Sequence, residues 1–342
     1  MPLPFAINGL GRIGRALLRI ATERSSLEPV AANDVAAAPQ LAHLLAYDTL
    51  HRRYAGTVES DTDSLTLDGH EIRIFGEADP AKIPWEETGA RVVIDATGKC
   101  LTRDCAESHR RGPVEKVVVS ANAEGMDLTL CRAVNDRDYD PERHHLLSGA
   151  SCTTNCLAPV AFLLHRDFGL RRAMLNTVHS YNNDQRLLES AHRDLRRARA
   201  AALNMIPTST SAIEALGRVM PELAGRLEGF AVRVPTPNVS LIDVVAELDA
   251  NPSAEEVNRT FIDAAAGGFA GVLATTEDEL VSSDFMGDPH SAIVDLSLTR
   301  RLESGENALV RVVAWYDNEW GHAARLADIL EMLAASDHLR EA

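Results

Sequence analysis

The rhythm of apolar and polar positions changes about midway along the chain. In the first half, short continuous apolar runs alternate with stretches of helical spacing. Pro4–Asn8 is a strand-like run, followed by a glycine-rich turn and a helix-like stretch from Arg12 to about Arg24. Val92–Asp95 and Lys116–Ala121 are continuous apolar runs of the kind buried on both faces of a parallel sheet. This alternation predicts an α/β fold with a doubly wound, Rossmann-type parallel sheet. The second half carries longer strands at Gly229–Pro235, Ser240–Leu248, Ser291–Arg300 and Ala308–Asp317. They alternate apolar with polar positions, which predicts an α+β domain whose sheet is mainly antiparallel with one covered face. The pattern changes near Ser151. After Gly321, Leu326, Ile329, Leu330 and Leu333 fall at helical spacing, so an amphipathic helix ends the chain and can return to the first domain. The expected division is 1–151 with 318–342 as the first domain and 152–317 as the second, with no repeat or low-complexity linker between them.

Composition narrows the classes of function. A length of 342 residues suits two cores better than one. With 34 basic against 50 acidic residues the net charge is −16, which disfavours nucleic acid and anionic membrane as partners. An anionic substrate would then need a local basic pocket. Met1–Phe5 shows no charged segment leading into a long apolar run, and no apolar stretch approaches a membrane span. Five cysteines, at 100, 105, 131, 152 and 156, form an odd set whose spacing is no disulfide framework, as suits a reducing, cytoplasmic location. Paired Cys-x-x-Cys or His-x-x-x-His ligands are lacking around Cys152 and Cys156, so no metal is expected.

Two segments carry candidate chemistry. Gly9-x-Gly11-x-x-Gly14 follows the first strand and opens the first helix, where glycines admit a tight turn and backbone amides approach a pyrophosphate. Asp34, 20 residues beyond Gly14, is placed to accept bonds from an adenosine ribose and opposes a 2′-phosphate by like charge. The first domain therefore reads as dinucleotide-binding, with NAD favoured over NADP. The second segment, Ser148–Cys156, leads into Leu157, Val160, Ala161 and Leu164 at helical spacing. Cys152 then starts a helix, whose dipole favours a thiolate. A buried small hydrophobe fits Cys152 equally well by position, and fits Cys156 better. His179 lies on a β-rich run, but position alone does not select it among 12 histidines. Arg196–Arg199, Pro207–Thr210 and Arg233 offer either an anion pocket or, for the arginine run, a solvated or interface-bridging face.

Together these segments resemble the phosphorylating glyceraldehyde-3-phosphate dehydrogenase family along nearly the whole chain. The resemblance is carried by Ile7–Arg15, Ala42–Asp48, Ala150–Pro159, Asp194–Ala202, Ile206–Thr210, Arg233–Pro235 and Trp315–Gly321, and most specifically by Ser151-Cys152-Thr153-Thr154-Asn155-Cys156. It implies Cys152 as the nucleophile that attacks an aldehyde and His179 as its base, with a thioester between hydride transfer to NAD and release of product. Gly9, Gly11, Arg12, Ile13, Gly14, Asp34 and Ser120 would bind the cofactor, and Asn318 would hold the nicotinamide carboxamide. Arg233, Asn182 and Ser151 would meet the phosphorylated substrate; Thr153, Arg197, Thr210 and Ser211 would place inorganic phosphate. A homotetramer is also implied, with the segment from about 180 to 205 reaching a neighbour.

Several positions depart from the family pattern. Asn182 stands for a threonine, Ser211 for a glycine, Glu214 for a lysine and His322 for an aromatic residue. Gly149 and Asn122 replace a usual Asn and Pro. Asp288–Asp295 looks more like the erythrose-4-phosphate dehydrogenases, which release a free acid; Asp184-Gln185 and Arg233–Pro235 fit the glyceraldehyde branch at least as well. Glu189–His192 is small where strictly NAD-using members are bulky, which predicts that NADP is tolerated. A retired dinucleotide-binding scaffold is the rival from another class, and the presence of both Cys152 and His179 speaks against it.

Overall fold

The computed structural model describes residues 1–304 and 307–335. The chain divides into two compact units, Met1–Arg132 with Asp136–Ser151 and Ala323–Ala342, and Ala133–Asn135 with Cys152–His322. Residues 336–342 of the tail expected to return to the first domain lie outside the described residues.

The first unit is built on β1 (Leu3–Asn8), α1 (Arg12–Ala21), β2 (Leu27–Asn33), α2 (Ala38–Ala46), β3 (Val58–Ser60), β4 (Ser64–Leu67), β5 (His70–Phe75), β6 (Val92–Asp95), α3 (Arg103–Glu107), β7 (Lys116–Val119), β8 (Leu128–Thr129) and β9 (Leu146–Ser148). Its nine strands run in the order β3-β4-β5-β2-β1-β6-β7-β9-β8. All neighbours from β5 to β8 are parallel, and only β3–β4 and β4–β5 are antiparallel. Phe5, Ile7, Val93, Ile94, Val117 and Val118 are fully buried, which is why the central strands read as unbroken apolar runs. From β1 the chain first passes through α1 to β2 on one side and later supplies β6 on the other. The carboxyl end of β1, where Gly9 sits, is therefore a switch point of the kind that receives ligands in open α/β sheets.

Helix α1 stops at Ala21, short of the expected Arg24. The Thr22 hydroxyl donates to the Arg19 carbonyl at 2.8 Å, and Arg24 turns away to Asp328 and Glu331 at 2.6 and 2.7 Å. The run from Lys116 leaves the sheet after Val119 rather than Ala121, because the Ser148 hydroxyl takes the Ala121 carbonyl at 2.7 Å. One sequence expectation is overturned. Cys100 and Cys105 form a disulfide, their Cα atoms 5.4 Å apart across the turn that leads into α3. Five residues is enough chain to fold a sulfur back on its neighbour, and an odd total of cysteines does not forbid one local pair.

The second unit comprises α4 (Cys152–Phe168), β10 (Leu170–Ser180), β11 (Ile206–Thr208), α5 (Ala212–Val219), β12 (Leu227–Val234), β13 (Ser240–Leu248), α6 (Ala254–Ala266), β14 (Leu273–Thr276), β15 (Ala292–Asp295), β16 (Arg300–Ser304) and β17 (Asn307–Tyr316). Seven strands follow the order β11-β12-β10-β13-β17-β15-β14, with β16 on β17. Pairings are antiparallel except β10–β12 and β14–β15. Along β13 buried and half-buried residues alternate, and α4 runs over β10, β13, β15 and β17 to cover that face. The strand expected over Ser291–Arg300 is interrupted after Asp295, whose carboxylate accepts the Ser297 hydroxyl at 2.6 Å and the Trp315 indole at 3.2 Å. The last described element is α7 (Trp320–Ala335), with Leu326, Ile329, Leu330 and Leu333 fully buried. No described helix is long and apolar enough to cross a membrane.

Candidate active site

In the first unit the glycine turn is shaped by close approach. Gly9 has φ +96°, and a Cβ there would lie 2.9 Å from the Thr97 nitrogen. A Cβ on Gly14 would lie 2.1 Å from the Gly9 carbonyl oxygen, so α1 rests directly on the turn. Gly11 immediately precedes α1 and faces open space within 4 Å. The first amides of a helix, here those of Arg12 and Ile13, lack a carbonyl one turn back and present positive partial charge to an anion. Asp34 accepts the Leu10 amide at 2.9 Å on one oxygen and the Ala36 amide at 3.0 Å on the other, which aims the carboxylate while leaving each oxygen a further lone pair. The Arg12 guanidinium donates to Asp48. Burial opposes ionisation of Asp48, but the His51 amide, Arg12 and the Leu50 amide outweigh it and hold the carboxyl at about 2. Ser120 follows β7, its amide on the Asp95 carbonyl at 2.8 Å. Asn122 donates to the Ser151 hydroxyl at 3.1 Å. At Gly149 a Cβ would lie 2.8 Å from the Leu326 side chain of α7, so a larger residue there requires that side chain to shift. These donors and carboxylate fit a dinucleotide with a free 2′-hydroxyl.

In the second unit the register of the sheet assembles the reactive groups. His179 and Arg233 are direct partners in the parallel pair β10–β12, and Ser240 and Tyr316 are partners in β13–β17. All four therefore fall at one end of the sheet. Cys152 begins α4 at that end, its Sγ 3.6 Å from His179 Nε2. The Thr153 and Tyr316 hydroxyls meet at 2.8 Å, and the His179 and Tyr316 rings stand edge to face. His179 Nδ1 lies 2.7 Å from the Ser180 carbonyl, and Arg233 Nη1 lies against both, 3.0 Å from that carbonyl. Nδ1 either donates to Ser180 or accepts from Arg233; only the first leaves the Nε2 lone pair facing Cys152.

The ionisation of this pair departs from the sequence reading. Burial pushes the Cys152 thiol up, against Arg233, the Thr153 hydroxyl and the backbone amides at the helix start, which pull it down. Burial and the adjacent Arg233 lower His179 to about 3. Both directions favour the uncharged thiol and imidazole over a thiolate–imidazolium pair. The helix dipole, about half a charge, is outweighed by desolvation. Cys152 keeps partial exposure, whereas Cys156 is fully buried and its thiol is pushed far up, so only the former is reachable.

Asn318 is brought to the same end of the sheet. Its Oδ1 accepts the Ser180 hydroxyl at 2.8 Å and the Ser240 hydroxyl at 3.0 Å, while Ser240 in turn accepts the Ser180 amide at 3.1 Å. Among the described residues no partner takes the amide nitrogen of Asn318, which can donate to a ligand. Asp317 beside it accepts the Asn238 side chain and the amides of Gly287, Glu319 and Trp320, which fixes the backbone before α7. The sequence reading did not single out Ser180, Ser240, Tyr316 or Asp317 as site residues. A polar residue at the covered start of alternating β13 was the available signal for Ser240.

The remaining predicted residues are less closely gathered. Arg197 donates to Thr208, rather than Thr210, at 2.8 Å, and is paired with Asp184. Thr210 accepts the Ala212 amide at 3.2 Å as α5 begins, with Ser211 as the residue before that helix. Asn182 is exposed and its Oδ1 accepts the Asp184 amide at 3.2 Å. Glu214 is exposed on α5 and His322 is buried.

Residues 3–103 match the family domain described as glyceraldehyde 3-phosphate dehydrogenase, NAD binding domain, and residues 151–318 match its C-terminal domain. Among curated proteins, the chain is 48% identical to glyceraldehyde-3-phosphate dehydrogenase 1 of Bacillus cereus, over 94% of this chain and 96% of the relative. It is 46% identical to glyceraldehyde-3-phosphate dehydrogenase of Geobacillus stearothermophilus, over 98% and 99%. It is also 46% identical to glyceraldehyde-3-phosphate dehydrogenase 2 of Streptomyces arenae, over 98% and 100%. With matches of this extent, a thiol–imidazole pair at the start of α4 and a glycine turn at the switch point of the parallel sheet, the chain belongs to the glyceraldehyde 3-phosphate dehydrogenase family.

Proposed function

We propose that this protein is an NAD-dependent, phosphorylating glyceraldehyde-3-phosphate dehydrogenase. The observation that carries the reading is the 3.6 Å approach of Cys152 Sγ to His179 Nε2, with the half-buried Arg233 guanidinium against the other ring nitrogen of His179. Cys152 gives its proton to Nε2 as the sulfur bonds to the aldehyde carbon, and Nε2 passes that proton to the carbonyl oxygen, giving a hemithioacetal and restoring the free Nε2 lone pair. His179 then takes the hydroxyl proton while hydride leaves the same carbon, and a thioester remains on Cys152. When bound, NAD supplies the hydride acceptor. The Cys152 amide, first in α4, and the His179 ring steady the developing oxyanion. Attack of inorganic phosphate on the thioester carbon expels the Cys152 thiolate and releases an acyl phosphate, with Thr153, Arg197, Thr210 and Ser211 as the phosphate's neighbours.

Arg233 and Asn182, with Ser151, are read as the grip on the substrate's own phosphate. Gly9, Gly11, Arg12, Ile13, Gly14, Asp34 and Ser120 hold NAD, and Asn318 donates to its carboxamide. Like charge at Asp34 opposes a 2′-phosphate, while the Glu189–His192 segment leaves room for one, so NAD is preferred and NADP tolerated. Residues 1–151 with the returning helix form the NAD-binding domain, and 152–317 the catalytic domain. Leu187, Leu188, Leu195, Leu203 and Met205 are 71–82% exposed on one segment, an apolar display that supports burial against a second copy in a cytoplasmic homotetramer.

The test offers glyceraldehyde-3-phosphate and erythrose-4-phosphate separately with NAD, each with and without inorganic phosphate. Phosphate-dependent turnover of the triose is expected. Preference for the tetrose with no phosphate dependence would overturn the reading and make Asn182, Ser211 and Glu214 the marks of a hydrolytic enzyme.

A further inference from the structure

Beneath the glycine turn lies a group of buried side chains that the reaction does not use. Asp95, which ends β6, is 1% exposed; its Oδ2 accepts Asn8 Nδ2 at 2.7 Å and His109 Nε2 at 3.2 Å. Its Oδ1 accepts the Thr97 amide at 3.1 Å and the Thr97 hydroxyl at 2.6 Å. Asn33 donates to Asn8 Oδ1 at 2.8 Å, so the network joins the carboxyl ends of β1, β2 and β6. Cys100 brings its sulfur within 4.8 Å of an Asp95 carboxylate oxygen and a ring nitrogen of His109. A carboxylate, a sulfur and an imidazole are a metal-ligand set, but the tautomer argues against one here. His109 Nδ1 faces the Trp85 indole nitrogen at 3.1 Å, and an indole N–H only donates. Nδ1 is therefore the acceptor, and Nε2 carries the proton it gives to Asp95.

What the cluster surrounds instead is one half of the Cys100–Cys105 disulfide. The two sulfurs are unequally placed. Cys100 is 2% exposed, whereas Cys105, in the first turn of α3, remains partly accessible. In a reducing compartment a disulfide is more often an exchanging group than a permanent staple. We propose that Cys100 and Cys105 form a thiol–disulfide exchange site, open to dithiol reductants and small disulfides, that sets how tightly the first unit holds its dinucleotide. The second half of this inference rests on the reading of that unit as NAD-binding.

The exchange balances as follows. A reductant thiolate attacks Cys105 Sγ, on the more exposed residue of the two; the new sulfur–sulfur bond forms as the Cys100–Cys105 bond breaks. Cys100 leaves as a thiolate near the His109 ring and takes up, through solvent, the proton that the reductant's first thiol released on ionising. The reductant's second thiol then attacks its own sulfur in the mixed disulfide and releases Cys105. Two electrons pass to the protein, and the dithiol becomes a disulfide. A small disulfide such as oxidised glutathione drives the reverse.

The coupling to the cofactor runs through Thr97. The Thr97 nitrogen and Ala96 carbonyl carbon would lie 2.9 and 3.0 Å from a Cβ on Gly9, so this segment is pressed on the turn itself. Lys99 donates its amide to the Thr97 hydroxyl at 3.1 Å, and Cys100 follows. The disulfide closes the chain just beyond that contact. Opening it frees the 98–105 stretch and loosens the backing of Gly9, the residue between Asn8 and the pyrophosphate-facing amides.

The test uses the full-length enzyme poised in reduced and oxidised glutathione mixtures. Alkylation and peptide mass report Cys100 and Cys105 separately from Cys152. Calorimetry with ADP-ribose, which has no nicotinamide, reports affinity at the first unit. We expect the pair to titrate between thiol and disulfide, and ADP-ribose affinity to fall about fivefold or more on reduction. Cys105→Ser is expected to bind like the reduced protein at every poise, with the same secondary structure by circular dichroism; if that variant misfolds, the wild-type titration decides alone. A pair that stays reduced in excess oxidised glutathione would overturn the proposal, as would a pair that titrates without changing affinity. Absence of ADP-ribose binding in both states would overturn the NAD-binding reading as well, which separates the two failures.

Discussion

The glycine turn of the first unit and the thiol–imidazole pair of the second both sit where a helix begins, yet they are built differently. Between Gly9 and Gly14 the chemistry belongs to the backbone: amides at the start of α1, a positive φ, and two positions where a Cβ would strike neighbouring backbone. Around Cys152 it belongs to side chains drawn from β10, β12, β13, β17 and the turn before α7, brought together by sheet register and by hydrogen bonds between them. A backbone site tolerates side-chain change wherever space is open and fails where a Cβ appears. A side-chain site tolerates backbone neighbours but loses function one residue at a time.

The largest effect should come from Cys152→Ala, which leaves no atom to carry the acyl group. Turnover should fall by roughly 10⁴-fold or more, with the melting temperature little changed. His179→Asn should cost about 10²- to 10⁴-fold, and the double variant should be no worse than Cys152→Ala alone, because the two act as a unit. Steady-state rates on all three check this; additive losses would mean that the pair does not share one proton.

Arg233→Ala should come next. Removing a charged donor should cut kcat/KM for the phosphorylated aldehyde roughly 10- to 100-fold, mostly through KM, and change the rate with unphosphorylated glyceraldehyde much less. Equal losses on both substrates would place Arg233 with His179 alone rather than with substrate phosphate.

On the backbone side, Gly9→Ala should destabilise the first unit by about 1–3 kcal/mol through its positive φ and the contact with Thr97. Gly11→Ala meets nothing within 4 Å and should leave the melting temperature unchanged while weakening NAD binding. Matching melts and dinucleotide titrations of the two variants would sharpen the contrast; identical stability losses would break it.

A last effect, confined to acid pH, is on stability. His179 is lowered to about 3 in the fold from an ordinary 6.5, so between those values the unfolded chain binds the proton and the native protein does not. Stability therefore rises with pH across that window, by roughly 1.4 kcal/mol per unit at most, and is lost on acidification from 6.5 towards 3. His179→Asn should flatten this slope in denaturant titrations between pH 4 and 7.

Much of the first site was legible because its signal is local. Gly9-x-Gly11-x-x-Gly14 and Asp34 are tied to one strand–turn–helix and the next strand, and the continuous burial of β1, β6 and β7 shows as unbroken apolar runs. The second site was legible only through family resemblance. Nothing in the period of β10 or β12 says that His179 and Arg233 will be register partners, because registry between distant strands is decided by packing of the whole sheet. Ser180 and Ser240 were missed for the same reason. The direction of the Cys152 shift was misjudged because position at a helix start is visible in sequence, whereas the burial that opposes it is not. The Cys100–Cys105 pair was missed because a count of cysteines says nothing of how the turn between two of them folds.

The most direct test of the central claim is a single-turnover experiment with glyceraldehyde-3-phosphate and NAD in phosphate-free buffer, read by NADH absorbance and by the mass of the Cys152 peptide after acid quench. The account predicts a burst of one NADH per active site and an acyl group on Cys152 that disappears when inorganic phosphate is added. Steady NADH production without phosphate, or a burst with no acyl adduct on Cys152, would contradict it.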